Sequence, residues 1–148
     1  MSSVKLKVKR LHPLVGLPAY ASGGAACLDI RVFQPNTVSP VIYPGETVSL
    51  PTGLAFEVPD GYELQVRPRS GFSLHSGLQV ILGTIDSDYR GEVRVLITNT
   101  SAEEAYVRHN ERIAQIIVKQ VPKVEVVEVN DLTETARHDG GFGSTGAT

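Results

Sequence analysis

Tryptophan is absent from the chain, cysteine and methionine occur once each, and aromatic residues make up only 6% of the 148 residues. A lone Cys27 excludes an internal disulfide framework, so apolar burial has to hold the fold and a reducing compartment fits. The histidines at positions 12, 75, 109 and 138 lack the short-range pairing of zinc ligands. No charge of one sign dominates: 14 Lys and Arg against 16 Asp and Glu leave a formal charge of −2. That balance excludes a broad basic footprint for a nucleic-acid duplex or an anionic membrane. No apolar run is long enough to span a bilayer, and the lysine-punctuated start "MSSVKLKVKRL" lacks the apolar stretch of a secretory signal. The expectation is a soluble intracellular protein without direct nucleic-acid or membrane binding, whose anionic ligands must meet a local cluster of arginines.

Long helices are excluded too, because proline and glycine recur at short intervals as far as Pro122. What is present instead is period-two alternation, the mark of strands with one wet face. Val4, Leu6 and Val8 alternate with lysines, and the pattern returns around Leu28 to Val32, Leu54 to Val58 and Tyr62 to Val66. Pro59-Asp60-Gly61 between the last two predicts a tight hairpin. Leu78 to Ile85 and Glu92 to Thr98 form a second predicted pair around Asp88-Tyr89-Arg90-Gly91. The run "RIAQIIV" at 112–118 is apolar on both faces and reads as a central strand, with "KVEVVEV" at 123–129 as another. Asn130 or Asp131 is placed to cap one short helix through "LTETAR". At 41% hydrophobic, the chain supports one core. The predicted fold is therefore all-β, a jelly-roll-like sandwich or barrel with at most one short helix. After it comes a glycine-rich arm whose composition alone predicts disorder.

Five stretches carry residue types suited to chemistry. "RPRSGFS" at 67–73 offers two arginines, a hydroxyl and a glycine at a strand end, and guanidinium groups bind phosphate oxygens through paired, charge-assisted hydrogen bonds. "GTIDSDYRGE" at 83–92 puts Asp86 directly after apolar Ile85, where a carboxylate held rigidly can act as a general base; turn formation is the plainer reading of Asp86 and Asp88. Asp29 sits on a strand between Leu28 and Ile30, and Gln115 interrupts an apolar run, where a buried amide needs hydrogen-bond partners. The tail "ARHDGGFGSTGAT" is not a Walker A loop, since no lysine precedes its hydroxyls and no strand leads into it. Its glycine amides can still wrap a phosphate if something else orders them.

Taken in order, these stretches resemble the motifs of the trimeric dUTP pyrophosphatases: "AACLDI" at 25–30, "RSG" at 69–71, "GTIDSDYRGE" at 83–92, "ERIAQ" at 111–115 and "RHDGGFGSTG" at 137–146. The third and fifth are the most specific. The resemblance implies a β jelly roll assembled as a homotrimer, with active sites at subunit interfaces and the arm, 137–148, lent by a neighbouring chain to the body, 1–136. It implies hydrolysis of dUTP to dUMP and pyrophosphate with Mg²⁺ on the triphosphate, which limits uracil incorporation into DNA and supplies dUMP for dTMP synthesis. The alternatives are dCTP deamination on the same fold and a nucleotide-sensing regulatory role.

The same resemblance assigns roles. Asp86 orients and deprotonates the attacking water. Asp29 contacts Mg²⁺ indirectly, through metal-bound water. Arg69, Ser70, Gly71 and Gln115 meet the phosphates, and Tyr89 packs under the deoxyribose, where it crowds out a 2′-hydroxyl. Gly83, Thr84 and Ile85 belong to the 78–86 hairpin whose backbone reads uracil. Arg137 reaches the γ-phosphate, Phe142 stacks on the base, and Gly143, Ser144 and Thr145 wrap the phosphates. Val80 stands where many bacterial members carry an asparagine that bonds the base, so main-chain reading of uracil is expected. Cys27 and Phe72-Ser73 are further departures, from glycine and from Leu-Ala.

Overall fold

The computed structural model of the chain describes residues 2–146. In chain order the strands are β1 (Lys7–Arg10), β2 (Ala19–Tyr20), β3 (Leu28–Arg31), β4 (Val41–Ile42), β5 (Thr47–Glu57) and β6 (Tyr62–Arg67). A single helix, α1 (Ser70–Ser76), precedes β7 (Leu78–Val80), β8 (Gly83–Ile85), β9 (Glu92–Asn99), β10 (Ala105–Tyr106) and β11 (Arg112–Gln120). A four-stranded sheet runs β1-β5-β9-β7, a five-stranded sheet runs β2-β3-β11-β6-β8, and β4 and β10 form a small ribbon. Leu54, Phe56 and Ile97 from the first sheet share one buried cluster with Ile30, Leu64 and Ile116 from the second. The architecture is the all-β, jelly-roll-like sandwich that the alternation predicts. Burying each such side chain contributes about 1.5–3 kcal/mol.

The predicted hairpins need correction. Pro59-Asp60-Gly61 does make a tight turn, with the Tyr62 amide donating to the Pro59 carbonyl at 3.1 Å and Gly61 at φ +80°. The strands it joins nevertheless lie in different sheets. Both edges of β5 are already taken by β1 and β9, so β6 has no free edge to pair with and crosses to the opposite sheet. The 78–86 segment likewise divides. β7 pairs with β9, Leu78 facing Asn99, and Ile81 extends this ladder by donating to Leu96; β8 then crosses over and pairs with β6.

Two further expectations fail for a common reason. The 123–129 stretch joins no strand ladder among the described residues, and Val124, Val126 and Val127 are exposed. No helix forms through 132–137, where Leu132 is exposed as well. A six-residue helix or a lone strand has no stability without a surface to pack on. The helix forms instead at 70–76, where Phe72 is buried in the core and Gly77 ends it in the left-handed conformation. "RIAQIIV" does form a central strand, flanked by β3 and β6.

Candidate active site

Three segments remote in sequence converge at one end of the five-stranded sheet. Asp29 on β3 lies opposite Gln115 on β11, which lies opposite Arg67 on β6. Just beyond β6, Arg69 turns back across this row, and its Nε stands 3.0 Å from Asp29 Oδ1. The other carboxylate oxygen takes a 3.2 Å contact from Arg112 Nη1. Gln115 donates from Nε2 to the Pro68 carbonyl at 2.8 Å, fastening the β6 end to β11. Its amide is only partly buried, so the expected demand for buried partners is relieved by solvent as well.

The resulting cleft, about 340 Å³, is lined by Cys27, Asp29, Arg69, Ser70, Gly71 and Gln115 among others. Two guanidinium groups around one carboxylate leave the cluster with a local positive charge. Guanidinium, hydroxyl and amide donors at the rim of such a cleft suit phosphate oxygens. Arg112 is the member that sequence reading passed over. A register shift between Arg112 and Ala114 breaks the β3–β11 ladder and re-aims the strand end; a bulge of this kind leaves no mark in hydrophobic periodicity.

Asp86 lies elsewhere. Ile85 faces Leu64, which faces Val118, so Asp86 stands well along β11 from Gln115 and on the far side of β6. At about 3.3 Å per residue and 4.8 Å per strand, it is roughly 20 Å from Asp29 in the same chain. Its own depression is shared with Asp60, Glu63, Asp88 and Lys123 and is mostly acidic. The loop that follows is firmly held: the Tyr89 amide donates to the Asp86 carbonyl at 3.2 Å, and Arg90 Nη1 to the Ser87 carbonyl at 2.6 Å. Gly83 and Ile85 are half-buried beside it, and Thr84 is exposed.

The arm folds into successive turns. Arg137 Nε donates to the Gly140 carbonyl at 2.6 Å, the Ser144 amide to Gly141 and the Gly146 amide to Gly143. Phe142 is fully exposed, and Gly143, Ser144 and Thr145 are exposed. Ala147 and Thr148, the last residues of the expected arm, lie outside the described residues. Within one chain, then, the first, second and fourth motif stretches meet in the cleft, and the third and fifth do not.

Residues 15–146 match the family model described as dUTPase. The chain belongs to the dUTPase family. Among curated members of that family, the deoxyuridine 5'-triphosphate nucleotidohydrolase of Hydrogenobaculum sp. (strain Y04AAS1) is 50% identical over 145 residues, covering 97% of this chain and 99% of the relative. The protein of the same name from Caulobacter vibrioides (strain NA1000 / CB15N) is 48% identical over 132 residues, covering 88% and 85%. In fold, the chain resembles a Staphylococcus bacteriophage 80alpha dUTPase solved with dUPNHPP, with a TM-score of 0.86 at 24% identity over 96% of this chain and 98% of that one. A dUTPase mutant from phage phi11 of S. aureus, described with a structural Mg(II) ion, superposes with a TM-score of 0.78 at 20% identity, over 88% and 99%.

Two departures of this dUTPase-family chain acquire a structural account. Val80 is buried, facing Ile97 across the β7–β9 ladder, so its side chain is committed to the core. Phe72 is the residue that anchors α1, and with it Ser70 and Gly71, to that core. Cys27 lines the cleft beside Asp29.

Proposed function

We propose that the chain is a dUTP diphosphatase, hydrolysing dUTP to dUMP and pyrophosphate by in-line attack of water on the α-phosphorus. The observation that carries this reading is the meeting of Asp29, Arg69, Ser70, Gly71 and Gln115 in one cleft of net positive charge. In it, Arg69 and the donors of Ser70 and Gly71 hold the phosphate chain. Asp86 takes the proton of the attacking water, a step for which general-base catalysis supplies about 10²–10⁴-fold. Tyr89 underlies the deoxyribose, and backbone groups around Gly83, Thr84 and Ile85 read the uracil edge. The arm closes over the nucleotide, with Arg137 on the γ-phosphate, Phe142 on the base and Gly143, Ser144 and Thr145 around the phosphates, excluding bulk water. The consequence is less dUTP available for incorporation into DNA and a supply of dUMP for dTMP synthesis.

The working unit in this reading is a homotrimer. A general base must lie within about 3 Å of the proton it removes, directly or through one water. Asp86 is far from the arginine cleft of its own chain and sits among carboxylates that repel a triphosphate, so a second copy supplies the cleft it serves. Exposed Val124, Val126, Val127 and Leu132 give neighbouring copies an apolar segment to cover.

The donor set fits Mg²⁺ carried in by the substrate. Both Asp29 oxygens are engaged by arginine, and among the described residues no three His, Cys, Asp or Glu side chains group as a metal cage. Magnesium keeps several waters and takes its remaining oxygens from substrate phosphates, so Asp29 would contact its water shell. When bound, the ion offsets negative charge on the phosphates. No helix among the described residues is long and apolar enough to cross a membrane. A pyrophosphate-release assay across dUTP, dCTP, dTTP and UTP with Mg²⁺, combined with light scattering, tests the proposal. Release confined to dUTP by a trimer is expected; ammonia from dCTP without pyrophosphate from dUTP would sink it.

A further inference from the structure

We propose that Gly91 is a positioning residue for Tyr89 and, through it, a determinant of the preference for a 2′-deoxynucleotide over a ribonucleotide. The inference rests on the reading of Tyr89 as the residue beneath the sugar. The Tyr89 hydroxyl donates to the Glu92 carbonyl at 3.0 Å, which folds the phenol back over the chain between them. A Cβ placed on Gly91 would lie 2.6 Å from Tyr89 Cζ and 3.1 Å from Cε2, and closer still to the hydroxyl oxygen. Real side chains do not approach so closely, so the phenol occupies its seat only because position 91 has no side chain.

The backbone gives glycine no other reason to be there. Gly91 is not among the residues of positive φ, in contrast to Gly61, whose φ of +80° favours glycine although nothing crowds it. The φ of residue 91 does not require glycine, and the three atoms nearest an alanine Cβ there all belong to the Tyr89 phenol. Tyr89 is 45% exposed, so its side chain can move toward solvent, while Arg90 keeps the turn backbone in place through Ser87 and Tyr89. The collision is relieved by moving Tyr89 rather than by unfolding the domain. The phenol then loses its bond to Glu92 and its fixed height beneath the nucleotide, and the space that excludes a 2′-hydroxyl opens.

Gly91→Ala should leave the melting temperature near that of the parent and lower the ratio of kcat/KM for dUTP over UTP about tenfold or more. The same substitution in a Tyr89→Ala background should change the ratio little, because a residue acting through another has no effect once that other is gone. A second readout is independent of activity: ¹⁹F NMR with 3-fluorotyrosine at the five tyrosines, the Tyr89 signal assigned by its loss in Tyr89→Phe. Gly91→Ala should shift that signal and leave the other four in place. An unmoved Tyr89 signal would overturn the packing relationship, and a moved signal with an unchanged dUTP/UTP ratio would overturn the role in specificity. If Tyr89→Ala itself leaves the ratio unchanged, the assignment of Tyr89 fails instead, and the signal shift still decides the packing. Should Gly91→Ala not fold alone, the double variant decides: folding with Tyr89→Ala supports the collision, and failure to fold refutes it.

Discussion

Asp29 on β3 and Arg69 at the start of α1, far apart in the chain, meet through a 3.0 Å contact that closes one wall of the cleft. The Asp29 side chain is 13% exposed, and Arg112 occupies its second oxygen. Asp29→Asn would leave two guanidinium groups facing each other without a neutralising partner. The expected loss is about 1–3 kcal/mol, below the full penalty for a buried pair because both arginines retain solvent. Urea unfolding at fixed protein concentration measures it, and an unchanged midpoint would argue against a structural role for the contact.

Asp86 makes no side-chain hydrogen bond or ion pair among the described residues that would be lost on amidation, so Asp86→Asn should fold as the parent does. Turnover of dUTP should fall about 10²–10⁴-fold while a non-hydrolysable dUTP analogue still binds. Turnover at the parental rate would remove Asp86 from the mechanism.

If Asp29 and Asp86 serve one site from different chains, two inactive variants should rescue each other. Unfolding Asp29→Asn and Asp86→Asn proteins together in equal amounts and refolding the mixture should restore about a quarter of parental activity. That fraction is the chance that a given site draws both carboxylates from intact donors in a symmetric assembly. Activity no higher than that of the separate variants would place both residues within one chain's site.

The arm's hydrogen bonds among the described residues stay within 135–146, so the body does not depend on them. Truncation after Ala136 should preserve the oligomer and its melting temperature and slow dUTP turnover at least about tenfold, through loss of closure. A truncated protein of full activity would exclude the arm from catalysis.

Much of the fold was legible where one face of a strand is more buried than the other, as along β6 and β9, because side chains alternate with period two. Leu64 and Val66 point inward as their spacing from Tyr62 predicts. The 59–61 turn was legible as well, since proline and glycine fix local dihedrals wherever they stand. The partner of each strand was not, because pairing depends on which sheet edges are already filled, and β5 has none left for β6. For the same reason the valines of 123–129 read as a strand without forming one: alternation makes a segment able to pair but supplies no partner.

The site divides along the same line. Residue types and their order in "RSG", "GTIDSDYRGE" and "ERIAQ" were enough to nominate Arg69, Asp86 and Gln115, because donors, carboxylates and amides have fixed chemistry in any fold. Arg112 on Asp29, the distance that keeps Asp86 from its own chain's cleft, and the empty space over Gly91 that seats Tyr89 came only from the tertiary structure. Each depends on a bulge, a crossover or a side-chain packing choice, and long-range contacts of that kind are set by the whole fold rather than by local sequence.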